Sequence, residues 1–419
     1  MTFETRHNST YLPLFAPERY CWFAVFLVWV AHLIYYLIYS SIGVLGPVLK
    51  GELGLNNTAF GVLCGAIGVG TTLIQMPGGI WLDRLGVRIV MSLSFVLMAI
   101  SFFLFSQSGS FVFSCFVLFL LGIAIGCNQI AAAKAILDWF PSTGRATAMG
   151  IKQTGITAGG IASSLVLPFL LGLYDWRLLV KSMAIAAFLF ALFFSVLYRD
   201  THKVRNDPSD RSVCFKEALL FLKQTHFLFV VIAGVFLIVA QFSFSSYLVL
   251  YLNQSLHYSL KTSGAVLALS FAFGAVARIG WGMTSDYLFK NREIELLVFI
   301  GVVGAAVCVA LGFLTPTTPV WILYLLSSLS GITLLGWMGI WMTIVGELSQ
   351  GKSTGLGIGI SFLFANLGLF LGPPFFGFLT DFFHTFFLSW MFLAFCMGMV
   401  SLILLLAMRT TVQTSEVRE

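Results

Sequence analysis

The sequence predicts an all-α membrane protein, with twelve transmembrane helices arranged as two pseudo-symmetric six-helix bundles. Three observations carry that expectation. Of 419 residues, 59% are hydrophobic and only 10% are charged, with a mean hydropathy of +0.96. A soluble domain carries roughly 25% charged residues, so the surplus apolar surface needs lipid against it. About twelve apolar runs are each long enough to cross a bilayer, which takes about 20 residues. Finally, the first half of the chain echoes the second.

The runs fall near 21–47, 58–80, 89–107, 111–138, 147–172, 177–198, 227–252, 260–283, 294–314, 319–346, 354–379 and 385–408. Only helices and closed barrels satisfy their backbone in lipid. The runs are continuous rather than alternating, so they read as helices. The first is too long for a signal-peptide core and no small-residue cleavage site follows it, so it reads as a retained span.

Net charge is +6, which by itself could suggest a nucleic-acid partner. The basic residues sit instead in short loops between apolar runs, which is the pattern that orients membrane helices, so no nucleic acid is expected. With the N-terminus on the cytoplasmic side, that side collects sixteen basic residues, and the other holds only Lys50, Arg177, Lys181 and Lys261. Both termini are therefore expected in the cytoplasm, in a cell (inner) membrane. The longest polar stretch, from Arg199 to His226, follows the sixth run and contains Pro208. It divides the chain into an N-terminal bundle (1–198), a cytoplasmic linker (199–226) and a C-terminal bundle (227–419), with a short interfacial helix expected at Phe215–Phe221. The repeat is visible in the loops. Gly79-Ile-Trp-Leu-Asp83 returns as Gly282-Met-Thr-Ser-Asp286, and Arg145-Ala-Thr-Ala-Met-Gly150 as Lys352-Ser-Thr-Gly-Leu-Gly357.

Several chemistries are disfavoured. The seven cysteines are scattered without a CxxC pair, giving neither a disulfide framework nor a metal site. The six histidines are dispersed and no HExxH occurs, which argues against a membrane metalloenzyme. No GxxxxGK[ST] loop is present, so neither ATP hydrolysis nor any cofactor is expected.

Between the second and third runs lies Gly78-Gly-Ile-Trp-Leu-Asp-Arg-Leu-Gly-Val-Arg88. It resembles the loop signature G-x-L-x-D-R-x-G-x-x of the major facilitator superfamily, matching at Gly79, Asp83, Arg84, Gly86 and Arg88 and departing at Trp81 and Val87. The resemblance implies that fold, an alternating-access solute transporter rather than an enzyme, and a latch between the halves on the cytoplasmic side. Arg145 belongs to the matching loop. In the second copy Tyr287 and Phe289 replace the arginine and glycine, while Gly282 and Asp286 remain and Arg278, one turn earlier, is expected to pair with Asp286. The fifth run, Gly150-Ile-Lys-Gln-Thr-Gly155-Ile-Thr-Ala-Gly159-Gly160, partly resembles the antiporter signature G-P-x-x-G-G, but Ile156 holds the proline position. Its KQTG form looks more like bacterial facilitators of small anionic nutrients. The glycines themselves read as packing residues that let helices approach.

Ionisable residues inside a membrane are costly and mark function by default. Lys134 and Lys152 lie at similar depth in the fourth and fifth runs and lack charged repeat equivalents, so they are expected to make a positive zone for an anionic substrate. The alternative is snorkelling, or pairing with Asp138. His32, Tyr35, Tyr36 and Tyr39 share one face of the first helix. In the family, helices 1, 4, 7 and 10 line the cavity. That adds Asn128, Gln129, Gln241, Ser245, Trp337 and Trp341, with Gln153, Asn366 and Gln75 beside them. No Asp or Glu lies deep in a span, so His32 is the evident titratable group for a proton partner. A small, anionic or zwitterionic organic solute is the expected substrate, carried by a monomer. Efflux of amphipathic compounds and a non-transporting sensor are the alternatives.

Overall fold

In a computed structural model of the protein, the described residues are 17–140, 145–200, 224–287, 292–349 and 354–416. Twelve helices among them are long and apolar enough to span a membrane. They are α1 (Pro17–Val44), α2 (57–85), α3 (87–106), α4 (Phe111–Trp139), α5 (Arg145–Leu170), α6 (Trp176–Leu197), α7 (Thr225–Gln254), α8 (Leu260–Tyr287), α9 (Glu293–Gly312), α10 (Val320–Leu348), α11 (354–383) and α12 (Phe387–Glu416). Each expected run coincides with one of them.

Local chemistry starts several helices. The Asn56, Ser110 and Asp175 side chains accept from the amides of Ala59, Phe113 and Arg177 at the starts of α2, α4 and α6. Two details depart from the sequence reading. The first run ends at Val44, and a separate short helix, Gly46–Leu53, follows it and stops at left-handed Gly54. The expected loop at 78–88 is helical up to its single break at Gly86, where φ is 80° and ψ is 168°. The interfacial helix expected at Phe215–Phe221 lies outside the described residues.

The two halves pack alike, which makes the repeat physical. In the first, α1 packs on α5, α2 on α4 and α3 on α6; in the second, α7 packs on α11, α8 on α10 and α9 on α12. The same device recurs at equivalent places. Gly159 of α5 sits against the backbone of Leu33 and Leu37 on α1, and Gly368 of α11 against Val235 and Val239 on α7. A side chain at either would push the helices apart.

The halves meet through α1–α7, α2–α11 and α5–α8. The close approaches are Gly43 to Ser245 and Ser246, Gly61 to Pro373, and Gly264 to Ser164. All of these lie toward the face away from the 200–224 linker, here termed the far face. Among the described residues α4 and α10 pack extensively only on helices of their own half. Among the described residues, the close approaches between the two bundles therefore lie toward the far face.

Candidate transport pathway and its gates

The seam between the halves is lined by the aromatic face of α1. The His32 ring meets Tyr35 edge-on at 5.1 Å, Tyr36 lies 5.5 Å from Tyr39, and these rings reach the other half at Phe271 of α8 (5.7 Å from Tyr36) and Phe242 of α7 (5.5 Å from Tyr39). The i, i+3, i+4, i+7 spacing aims all four side chains at one seam. Tyr35 shares a side-chain hydrogen bond with Gln129 of α4. His32 is 1% exposed and its Nδ1 lies 3.1 Å from the Val28 carbonyl. A carbonyl only accepts, so Nδ1 carries the hydrogen and Nε2 of the neutral ring is an acceptor.

Lys152 on α5 is 7% exposed and close enough to His32 to act on it electrostatically. It makes no hydrogen bond or ion pair among the described residues. Gly155, one turn on, brings α5 against the α1 backbone at Trp29 and Leu33, which fixes Lys152 beside His32. Gln153 is its half-buried neighbour.

Arg278 of α8 lies on the same seam. Its Nε donates to the Leu335 carbonyl at 3.2 Å, Nη1 is buried without a partner, and the guanidinium is within electrostatic reach of Tyr35 and Tyr36. Leu335 belongs to a π turn, Gly331–Leu335, in α10, whose Ile332 carbonyl also accepts from Trp281 of α8 at 2.9 Å. The wide turn interrupts the i→i+4 pattern and gives α8 carbonyls to bind. The Asp286 side chain is outside the described residues, so the expected Arg278–Asp286 pair has no description here; among the described residues Arg278 is within electrostatic reach of Tyr35 and Tyr36.

The other expected pathway residues have varied surroundings. Lys134 pairs with Asp83 (Nζ–Oδ1 2.6 Å), linking α4 to α2 at the linker face. Trp341 is fully buried, donates to the Val230 carbonyl at 2.9 Å and packs on Gly234, while Trp337, also fully buried, donates to Leu334 on its own helix at 3.0 Å. Both are interior to the bundle, and Gly234 of α7 makes the room for the Trp341 ring. Asn128 is fully buried with neither amide atom bonded among the described residues, and Gln241 Oε1 is likewise unpartnered. Asn366 marks the break between the two helical parts of α11. Ser245 lines a pocket between the halves with Tyr36, Tyr39, Ser40, Gly43, Cys64 and Ser246.

The signature loop makes its ties inside the N-terminal half. Asp200, just beyond α6, accepts from the amides of Val87 (2.8 Å) and Arg88 (3.1 Å) and so caps α3, while Arg88 Nε donates to the Ser195 carbonyl at 2.5 Å. Burial pushes the Asp200 carboxyl above its ordinary value in spite of those amides. Asp83 and Arg84 are exposed, Gly79 and Gly282 lie on open helix surface, and the Arg145 side chain is outside the described set. The partners expected for a latch between the halves, Arg145 and Asp286, have side chains outside the described residues, so the loop contacts among the described residues are those within the N-terminal half.

Sequence reasoning missed the polar cluster at the far face. Asp381, in the last turn of α11, accepts from the Asn57 amide (3.0 Å), Asn57 Nδ2 (2.7 Å), the Thr58 amide (2.6 Å) and Thr58 Oγ1 (2.6 Å). Lys50 donates to Asn57 Oδ1 (2.5 Å) and Gln254 Oε1 (3.0 Å), and burial holds its ammonium below its ordinary value against the opposing pull of Asp381. The one available signal was an acidic residue in an otherwise apolar span end.

Comparison with known proteins agrees with this geometry. The Major Facilitator Superfamily profile matches residues 28–339. The hexuronate transporter of Bacillus subtilis (strain 168) is 22% identical over 370 residues, spanning 85% of this chain and 87% of that protein. The probable galactarate/D-glucarate transporter of the same organism is 23% identical over 400 residues, 86% of each. Among solved structures, a bacterial homologue of the human lysosomal transporter Spinster, inward-facing and occupied, superposes with a TM-score of 0.80 at 17% identity, covering 95% of this chain and 98% of that one. A D-xylose–proton symporter gives 0.73 at 17% identity, covering 92% and 97%. The chain belongs to the Major Facilitator Superfamily. It is a multi-pass secondary transporter, not an enzyme.

Proposed function

We propose that this transporter carries a small organic anion, a sugar acid, and that Lys152 is the residue that meets its carboxylate. The observation that supports this is a buried ammonium on the seam with no anionic partner among the described residues. Taking a charge out of water without a counter-ion costs several kcal/mol. A solute carboxylate supplies the missing charge, and Arg278 adds a second positive group across the seam. The names of the relatives, hexuronate and galactarate/D-glucarate transporters, point to the same chemical class. Tyr35, Tyr36, Tyr39, Gln129, Gln153 and Ser245 would bond the hydroxyls.

The basic loops support a cytoplasmic linker face and cytoplasmic termini in a cell membrane. On that orientation the closed far face is the outer one and the pathway opens inward. The division into bundles 1–198 and 227–419, a monomeric carrier, and a proton as second partner relayed by His32 belong to the same proposal.

The test is uptake into proteoliposomes of labelled galacturonate, galactarate and galactonate by wild type and Lys152→Gln. Uptake of at least one acid, reduced more than about tenfold in the variant as loss of a charged contact requires, is expected. Unchanged uptake in the variant, or transport of amphipathic cations instead of acids, overturns the assignment. For the proton, uptake indifferent to an imposed pH gradient refutes the His32 relay.

A further inference from the structure

We propose that Asp381 is the gating residue of the far face, and that opening the pathway there consists of breaking its bonds to the first turn of α2. Asp381 belongs to the C-terminal half and α2 to the N-terminal half, so these bonds cross the seam. The carboxylate receives two backbone amides and two side-chain donors from Asn57 and Thr58. An acidic group at a helix N-terminus is favoured by the unsatisfied amides and the helix dipole together. Asn57 is engaged through all its polar groups: its amide and Nδ2 donate to Asp381, its Oδ1 accepts from Lys50, and its carbonyl accepts from Tyr247 of α7 at 2.6 Å. Three of these reach the other half.

The apolar packing around this cluster holds the helices close without making them depend on one register. Gly61 and Gly377 let α2 and α11 touch, and Tyr247 sits edge-on to Phe60 at 5.4 Å and 4.6 Å from Phe376. The hydrogen bonds of Asp381 are directional and charge-assisted, so they specify the closed arrangement. Nearby, between the halves, lies the pocket lined by the buried residues Tyr39, Cys64 and Ser245 with Gly43. Among the described residues, the close approaches between the halves all lie toward the far face. A state open to the far face must therefore separate Asp381 from Asn57 and Thr58, whatever solute is carried.

Cys64 is a natural reporter. It lies seven residues after Asn57, about 10 Å along α2 at ~1.5 Å per residue, and is 3% exposed. In a background retaining Cys64 alone among the cysteines, full-length protein in vesicles is treated with a membrane-impermeant maleimide applied to each face separately. Asp381→Asn is expected to label from the far face about tenfold faster than its parent or more, the population shift from losing a charge-assisted acceptor. Asp381→Glu is expected to restore protection, and Thr58→Val, which removes one donor and keeps the carboxylate, to give an intermediate rate and a test independent of whether Asp381→Asn folds. Far-face labelling of Asp381→Asn or Thr58→Val at the parental rate in folded protein overturns the proposal. So does labelling of Asp381→Glu as fast as Asp381→Asn.

Discussion

Gly86 and Gly79 belong to the same signature, and substituting each by alanine should separate two kinds of glycine. At Gly86 the backbone is at φ 80° and ψ 168°, a region essentially reserved for glycine, where another residue costs about 1–3 kcal/mol. A Cβ there would also lie 2.6 Å from Asp200 Oδ2. The carboxylate must move, and the Val87 and Arg88 amides lose their cap, worth about 1 kcal/mol more. Gly86→Ala should therefore destabilise by about 2–4 kcal/mol. At Gly79 a Cβ meets nothing within 4 Å and the backbone is helical. Gly79→Ala should be neutral or stabilise by up to ~1 kcal/mol through helix propensity. Thermal unfolding in detergent, followed by helical circular dichroism, reads both. Asp200→Ala in the Gly86→Ala background should add little, because the cap is already lost. Equal destabilisation by the two glycine variants, or full additivity with Asp200→Ala, would refute this account of the loop.

Lys134→Met should cost less than ~1 kcal/mol of stability and leave substrate affinity unchanged, since its partner Asp83 is 65% exposed; a large rise in KM for uptake would return Lys134 to the substrate site. Trp341→Phe should lower thermal stability by about 1–2 kcal/mol through the lost bond to Val230, with KM unaltered. Gly61→Val places a side chain on the Pro373 carbonyl and should reduce uptake by about tenfold or more while the protein still folds, because the halves can no longer close at the far face. Wild-type uptake in that variant would show that α2 and α11 need not touch during transport.

Much of the architecture was legible because lipid imposes long apolar runs that no soluble fold requires, and all twelve were located within a few residues. The α1 face of His32, Tyr35, Tyr36 and Tyr39 was equally legible, since helical periodicity alone puts those side chains on one line. The glycines of α5 and α11 also read as packing residues, and Gly155, Gly159, Gly160, Gly368, Gly372 and Gly377 do press on neighbouring helices, whereas Gly150 and Gly359 face open space. Arg278 was read through its distance to Asp286 along the helix, and that spacing carried no sign that its charge also lies within reach of Tyr35 and Tyr36 of the other half. Trp337 and Trp341 were read from family position, but the room for the Trp341 ring is decided by Gly234 of the facing helix.

By itself, the sequence determined what must be in lipid, how often the chain crosses and that its halves repeat, because hydropathy and periodicity are local properties summed along the chain. Tertiary structure decided which charges meet. Lys134 and Asp83 are 51 residues apart, Val87 and Asp200 are 113, and Asn57 and Asp381 are 324, and no local pattern encodes such pairings. Whether a cation in a span is paired, as Lys134 is, or buried without an anionic partner among the described residues, as Lys152 is, depends on how helices from distant parts of the chain cross in space.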